Sequence, residues 1–223
     1  MHFAQEMSIS HATLRECLAG YQRDGYALVR QLFGGDETDI VHPRLNERMA
    51  RIARELLRAD VYLHSPATLL GIDAWEWRQD YGYWYATGCL APTMVSCMIA
   101  AECDTQNAGR LQVLRGSHTL GRIDHELSGE HLVADPARVK GAIDILERQF
   151  VTLVPGDALF LHCNLLHRLE ASRSTNECRI VACSYNAESN RPLLGAATSA
   201  LRMLERSASE LGHFATHVRL GEC

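Results

Sequence analysis

Lysine is almost missing from this 223-residue chain: Lys140 is the only one, and the formal charge is −5. A chain with that balance has no basic field to draw in a phosphate backbone, which argues against nucleic acid as a partner. There is no CxxC pair among the eight cysteines (Cys17, Cys89, Cys97, Cys103, Cys163, Cys178, Cys183 and Cys223). Several of them lie in apolar runs where a free thiol behaves as a small hydrophobe, so a reducing compartment is expected. The first thirty residues lack a basic stretch followed by an apolar core, and no apolar run approaches eighteen residues. The expectation is a soluble, cytoplasmic protein without membrane contact. No GxGxxG, P-loop or serine-nucleophile elbow occurs, and there is no internal repeat or low-complexity tract.

What is present is one core's worth of apolar residues, 47% of the chain, spread over a length that suits a single domain spanning 1–223. The N-terminal part, about 10–60, reads as helical support. Ser10 is placed to cap a helix with Leu14, Leu18 and Tyr21 on its apolar face, and Gly25 is placed to end it. Tyr26 to Arg30 reads as a strand, and a second helix starts near Pro43 with Leu45, Met49, Ile52 and Leu56 on one stripe. From 61 to about 190 the pattern changes to short strands between turn residues: Val61 to His64, Trp75 to Arg78, Thr93 to Glu102, Leu111 to Leu114, Phe150 to Val154, Ala158 to His162 and Cys178 to Tyr185. Many short strands with Gly, Pro and Asn between them favour a barrel or sandwich. Asp135-Pro136 opens an inserted helix with Val139, Ile143 and Leu146 inward, and 198–211 reads as a C-terminal helix.

The chemistry sits in Trp77-Arg78-Gln79-Asp80-Tyr81-Gly82-Tyr83-Trp84-Tyr85 and in His162-Cys163-Asn164-Leu165-Leu166-His167. On a strand, positions 78 and 80 share a face. A His-x-Asp pair with a distant histidine is the facial triad that holds non-haem Fe(II) with open positions. Here Asp80 and His167 are present, and Arg78 stands where the other histidine belongs. Alone, an R-x-D pair is commonly a salt-bridged surface couple. The aromatic cluster around it, Trp75 to Tyr85, serves equally as pocket wall or as core.

Three further segments bear on the choice: Asn107-Ala108-Gly109-Arg110-Leu111 running to Gly116-Ser117-His118; the tight turn Val154-Pro155-Gly156-Asp157 feeding an apolar strand; and Ser174 with Arg179 before Ile180 to Ala187. In this order, from Asp24-Gly25-Tyr26 through Asn190-Arg191-Pro192, the chain resembles the phytanoyl-CoA dioxygenase-like (PhyH) family of Fe(II)/2-oxoglutarate-dependent oxygenases. The resemblance implies a mainly β fold with flanking helices, a double-stranded β-helix of the jelly-roll, cupin-like kind. It also implies iron at Asp80 and His167, with Trp84 lining the co-substrate site. Arg179 would pair with the distal carboxylate of 2-oxoglutarate, Ser174 would lie beside it, and a small molecule would be the substrate. An arginine suits that clamp because its fork meets a carboxylate bidentately and stays charged.

Departures from the family pattern accompany the match. Arg78 replaces the first histidine, Pro66 follows His64-Ser65 where many members carry lysine, the 33–43 region is short, and Arg179 lies one residue further from His167 than usual. A guanidinium has no lone pair to give a metal, and at ~4 Å it would repel a divalent cation by on the order of 8 kcal/mol at an effective dielectric near 20. The arginine's long stem lets it swing away; otherwise Asp80 is expected to pair with Arg78. His64, His118 and His162 are the candidates for a substitute ligand, with hydrogen-bonding roles favoured for His118 and His162. Three readings follow. The chain is an oxygenase with an atypical metal site, or a non-catalytic relative acting as a binding module, as a homodimer or beside an active homologue. The third is a metal-free binder whose Arg78 and Arg179 hook a carboxylate.

Overall fold

The computed structural model describes residues 10–33, 43–70, 74–102, 111–128, 131–170 and 179–193, excluding the side chains of 43–46, 66–70, 101, 102, 131 and 179. The first helix, α1, spans His11–Asp24. The Ser10 hydroxyl accepts from the Thr13 amide, and Gly25 ends the helix in the left-handed region at φ 86°. A side chain at 25 would also collide with His118 and Leu165. Strand β1 (Tyr26–Val29) follows, and then α2 (Pro43–Leu57), whose buried Met49, Ile52, Ala53 and Leu56 recur at the helical period.

Two antiparallel sheets form the barrel. The larger has the order β1-β9-β4-β11-β2, from β9 (Ala158–His162), β4 (Met94–Glu102), β11 (Arg179–Ala187) and β2 (Val61–Leu70). The smaller has the order β3-β10-β5-β8, from β3 (Trp75–Arg78), β10 (His167–Leu169), β5 (Leu111–Leu114) and β8 (Arg148–Val151). A hairpin of β6 (His125–Ser128) and β7 (His131–Ala134) leads into α4 (Pro136–Ile145), where Asp135 caps the helix through the Arg138 amide.

Strand alternation assigns each face of the large sheet. Val95, Cys97, Ile99, Ala158, Phe160, Cys183 and Tyr185 pack against α1 and α2, with Met49 Sδ 3.5 Å from Cys97 Sγ. Met98, Ala100, Leu159, Leu161 and Ile180 point the other way and meet Leu111 and Val113 of the small sheet. Because β9 is covered on both faces it reads as a continuous apolar run. The inward face turns polar in the middle, where the hydroxyls of Ser96 and Ser184 lie 3.3 Å apart.

Most boundaries follow the sequence pattern, and the departures have physical causes. The last strand before the Pro155-Gly156 turn covers Arg148–Val151 instead of 150–154, because residues 153–157 fold back on Asp157. Its carboxylate accepts from the amides of Gln31 and Val154 and pairs with Arg30. The hairpin β6/β7, the three-residue β10 and a helix at 80–86 carry no periodicity long enough to read. The helix expected at 198–211 lies outside the described residues. Among the described residues no helix is long and apolar enough to cross a membrane.

The end of α1 is fastened to the barrel by Asp24. Its carbonyl accepts from the Gly116 amide, and its nearly buried carboxylate accepts from Arg23 and from Arg115 Nε at 2.6 Å. The Arg23 hydrogen bond, with that of Arg115 added, holds this carboxyl below its ordinary range despite burial. A lowered folded pKa stabilises above the unfolded value of about 3.8 and is lost as pH falls through the folded one. Asp24→Asn should therefore cost about 1–2 kcal/mol at pH 7, discounted for the solvent exposure of both arginines. In urea titrations the gap between the two proteins should close below about pH 4; a gap that persists there would assign the loss to something other than the charge.

Candidate metal centre

The strand carrying Arg78 stops there. The backbone is still extended at Gln79 (φ −114°, ψ 136°), and a seven-residue helix, α3 (Asp80–Ala86), begins at the next residue. The expectation that Asp80 continues the strand on the same face as Arg78 is thus corrected. The turn is imposed by Gln79, whose side chain is completely buried. Its Nε2 donates to the carbonyls of Gly121 (2.8 Å) and Asn164 (2.7 Å), and its Oε1 accepts from the Ile123 amide (2.7 Å). Its own amide donates to Nε2 of His125 at 3.0 Å. The other ring nitrogen, Nδ1, donates to the Ile123 carbonyl, so His125 is fixed as the neutral Nδ1–H tautomer, and burial lowers its pKa. Gly82 lets α3 approach this ring, since a Cβ there would lie 2.5 Å from it. One residue after Asp80, the Tyr81 amide donates to the Cys163 carbonyl at 2.9 Å. Asp80 is therefore flanked by two residues tied to the segment that leads into His167.

His167 opens β10, with its Cα paired to Arg78 on one side and to Val113 on the other. It is buried. Nδ1 lies 3.0 Å from the Leu165 carbonyl and must be the protonated nitrogen, because a carbonyl only accepts. Nε2 is buried without a hydrogen-bond partner and sits 3.5 Å from Oδ1 of Asp80. Burial pushes the Asp80 carboxyl up; a protonated His167, and after it the Arg78 charge and the hydroxyl of Ser96, outweigh that and hold the carboxyl far below the usual carboxylate range. With Nε2 unprotonated, the pull toward the ionised form comes from Arg78 and Ser96 alone. A nitrogen lone pair and a carboxylate face each other across a gap that a cation can bridge. Two cis ligands about 2.1 Å from one metal ion lie about 3 Å apart, so the spacing is close to that of a shared metal. His Nε2 and a carboxylate are also the donor types that suit iron.

Arg78 does not fill the gap and does not pair with Asp80. Its guanidinium carbon lies 4.5 Å from the centroid of Trp75 and 5.7 Å from that of Tyr83. The ion pair expected from the R-x-D spacing is absent because β3 ends between the two residues and Asp80 is drawn toward His167. No third donor completes the set: among the described residues, no group of three or more His, Cys, Asp or Glu is placed to hold a metal. His64 is within 3.0 Å of the Tyr62 hydroxyl and stands edge-on to Trp84, with ring centroids 4.6 Å apart. His118 Nε2 meets the Gln22 carbonyl, and its ring packs on His162. His162 Nδ1 accepts from the Asn164 amide, and burial, helped by His118, pushes its pKa down to about 4. Each of these three has a hydrogen-bonding role away from the Asp80–His167 gap.

Trp84 lies on α3, against a small cluster with Tyr81, Cys89, Met94 and Cys163, and its buried indole nitrogen has no partner. Arg179 begins β11 opposite Glu102, with its side chain outside the described atoms; Ser174 lies outside the described residues. Sequence reasoning missed Gln79, His125 and Ser96. The available signal was parity: between Arg78 and Asp80, Gln79 was bound to point the other way, and an amide facing a core must be bonded.

A two-sheet antiparallel barrel buttressed by helices on one face, with a histidine and a carboxylate facing each other inside, defines the cupin-like jelly-roll class. Residues 36–181 match the phytanoyl-CoA dioxygenase (PhyH) family, and the chain belongs to it. Among solved structures, EctD from S. alaskensis with bound Fe superposes with a TM-score of 0.66 at 21% identity, over 86% of this chain and 82% of that one. EctD with 2-oxoglutarate and 5-hydroxyectoine gives 0.64 at 20%, over 86% and 81%. The epimerase SnoN, in complex with Fe3+, alpha ketoglutarate and nogalamycin RO, gives 0.61 at 17%, over 86% and 94%. At these identities the likeness establishes the double-stranded β-helix fold. No match was found among curated proteins.

The Gln79 clasp yields a direct test. Gln79→Leu keeps the bulk but strands two carbonyls and one amide in a buried site. With a typical penalty of about 1–3 kcal/mol for each such group, partly relieved by relaxation, the variant should lose roughly 2–4 kcal/mol in urea unfolding at pH 7. A loss of less than about 1 kcal/mol would show that the three groups find other partners.

Proposed function

We propose that this protein is an Fe(II)/2-oxoglutarate-dependent oxygenase that hydroxylates or otherwise oxidises a small molecule at a metal site with two protein ligands, Asp80 and His167. The observation that carries the reading is the bare, buried Nε2 of His167, aimed at the Asp80 carboxylate 3.5 Å away while Nδ1 is held by Leu165. Family membership supports it, as do the Fe and 2-oxoglutarate bound by EctD and the Fe3+ and alpha ketoglutarate bound by SnoN. When bound, iron would supply the open positions at which oxygen and co-substrate meet.

The protein's own residues divide the remaining work. The Leu165 carbonyl fixes the His167 tautomer, which leaves Nε2 free to donate. Ser96 orients the Asp80 carboxylate. Trp75 and Tyr83 keep the Arg78 charge on their rings. By family resemblance, Trp84 would line the co-substrate side, and Arg179 and Ser174 would bind 2-oxoglutarate, the arginine at its distal carboxylate. Asp80 and His167 would hold the metal, and water or substrate would complete its coordination. Five buried, free cysteines, Cys17, Cys89, Cys97, Cys163 and Cys183, support a reducing, cytoplasmic setting.

A second reading is favoured by the lack of a third donor among the described residues and by an arginine close enough for its charge to act on Asp80. In this reading the barrel is a non-catalytic binding module, alone or as partner of an active homologue.

Anaerobic addition of Fe(II) and 2-oxoglutarate separates the two. The oxygenase reading expects about one iron per chain, a visible charge-transfer band, and succinate release with a suitable substrate. An iron-free wild type, with iron appearing only in Arg78→His, would refute it and establish the second reading.

A further inference from the structure

Among the described residues, Arg78 is a cation without a paired anion. The Arg78 guanidinium lies over the rings of Trp75 and Tyr83, a contact that holds the charge while leaving N–H groups able to donate elsewhere. Nε is buried with no hydrogen-bond partner, and no hydrogen bond or ion pair joins Arg78 to another described residue. The indole N–H of the adjacent Trp75 is also buried without an acceptor. The nearest acid cannot serve, because Asp80 is turned to His167 and Ser96. β3 thus carries two neighbouring donors, from Trp75 and Arg78, with no acceptor among the described residues. Buried donors in a folded protein are normally paired, so a cluster left open marks where an outside acceptor fits.

We infer that Arg78 is a ligand-binding residue that takes the carboxylate of a small molecule along its free guanidinium edge, beside the Asp80–His167 gap. Arg78 is the direct cross-strand partner of His167 and lies two residues before Asp80, which places the bound anion next to the candidate metal centre. A carboxylate fits better than a phosphate for two reasons. The guanidinium fork matches it bidentately. A phosphate group would bring up to two charges to a single guanidinium with the Asp80 charge close by, and so would be left under-neutralised, whereas one carboxylate group brings a single charge. The site borrows its location from the proposed function but does not need iron.

The carboxylate could belong to the co-substrate or to the substrate, and two probes distinguish them. Metal-free wild-type protein is titrated by calorimetry with 2-oxoglutarate and with benzoate, with neutral benzamide as the control. Arg78→Met keeps the apolar stem against Trp75 and removes the charge and the donors; Arg78→Lys keeps the charge and loses the fork. At least one of the two carboxylates should bind wild type saturably while benzamide does not. The affinity of that carboxylate should fall at least about tenfold in Arg78→Met and by less in Arg78→Lys. A fall confined to 2-oxoglutarate assigns the site to the co-substrate, and a fall confined to benzoate assigns it to the substrate. Unchanged affinity for both in a folded Arg78→Met, or no saturable binding by wild type, overturns the inference. If Arg78→Met does not fold, undiminished binding by Arg78→Lys overturns it instead. Iron content, measured separately, decides the metal site: carboxylate binding without iron uptake would sink the oxygenase reading and leave this one standing.

Discussion

The 3.5 Å gap between Nε2 of His167 and Oδ1 of Asp80 is the constraint around which the barrel interior is organised. Facing a lone pair with a carboxylate is unfavourable unless something positive lies between, so the arrangement persists only if both groups are held from behind. His167 is held through Leu165 and by its place in β10, between β3 and β5. Asp80 is held by its neighbours in sequence, since Gln79 and Tyr81 both bond to the 163–164 segment just before His167. The two halves of the site are fastened to each other, and movement of one carries the other with it. His125 extends this brace by accepting the Gln79 amide and packing on Gly82.

The same architecture explains how an arginine is tolerated three residues after Trp75. A guanidinium directed into the gap would compete with any metal for Asp80. Ending the strand at Arg78 and starting a helix at Asp80 sends the two side chains apart, and Trp75 and Tyr83 give the cation an alternative resting place. Cation–π contacts of this kind contribute about 0.5–1 kcal/mol where exposed and more when desolvated. That is enough to hold a flexible side chain in place but too little to replace a full set of hydrogen bonds. The electrostatic influence remains, since Arg78 still helps to keep Asp80 ionised. A charge this close, and unpaired among the described residues, favours an anion as a visitor over a passive structural role.

How much of this was legible in the chain differs by element. The Ser10 cap, the Gly25 stop, the α2 stripe and the strands β3, β5 and β9 follow local rules of capping and periodicity, and they fold as read. Asp80, His167 and Arg78 were recognisable as a set, and the structure brings the first two together. The path of the chain between Arg78 and Asp80 was not legible, because Gln79 is bent by Gly121, Ile123 and Asn164, groups 42 to 85 positions away. For the same reason an Arg78–Asp80 salt bridge was a reasonable expectation from spacing and fails in three dimensions. Tertiary hydrogen bonds to one buried amide override the alternation rule at the position where the site is built.

The length of the gap between His167 and Asp80 bears on whether it suits a shared proton or a bound cation. If a proton were shared, His167 would be an imidazolium donating to a carboxylate, and such charge-assisted bonds run about 2.7–2.9 Å. The observed 3.5 Å is well beyond that, although both groups are fixed firmly enough for a shorter contact to form if the frame favoured it. A metal bound cis to both atoms asks for about 3 Å, which leaves a smaller adjustment. An unpaired buried nitrogen is also costly, by about 1–3 kcal/mol. The brace of Gln79, Tyr81 and Leu165 maintains that cost instead of relieving it. A frame built to keep two donors slightly apart, with one nitrogen bare, suits a cation that arrives after folding better than a pair that satisfies itself.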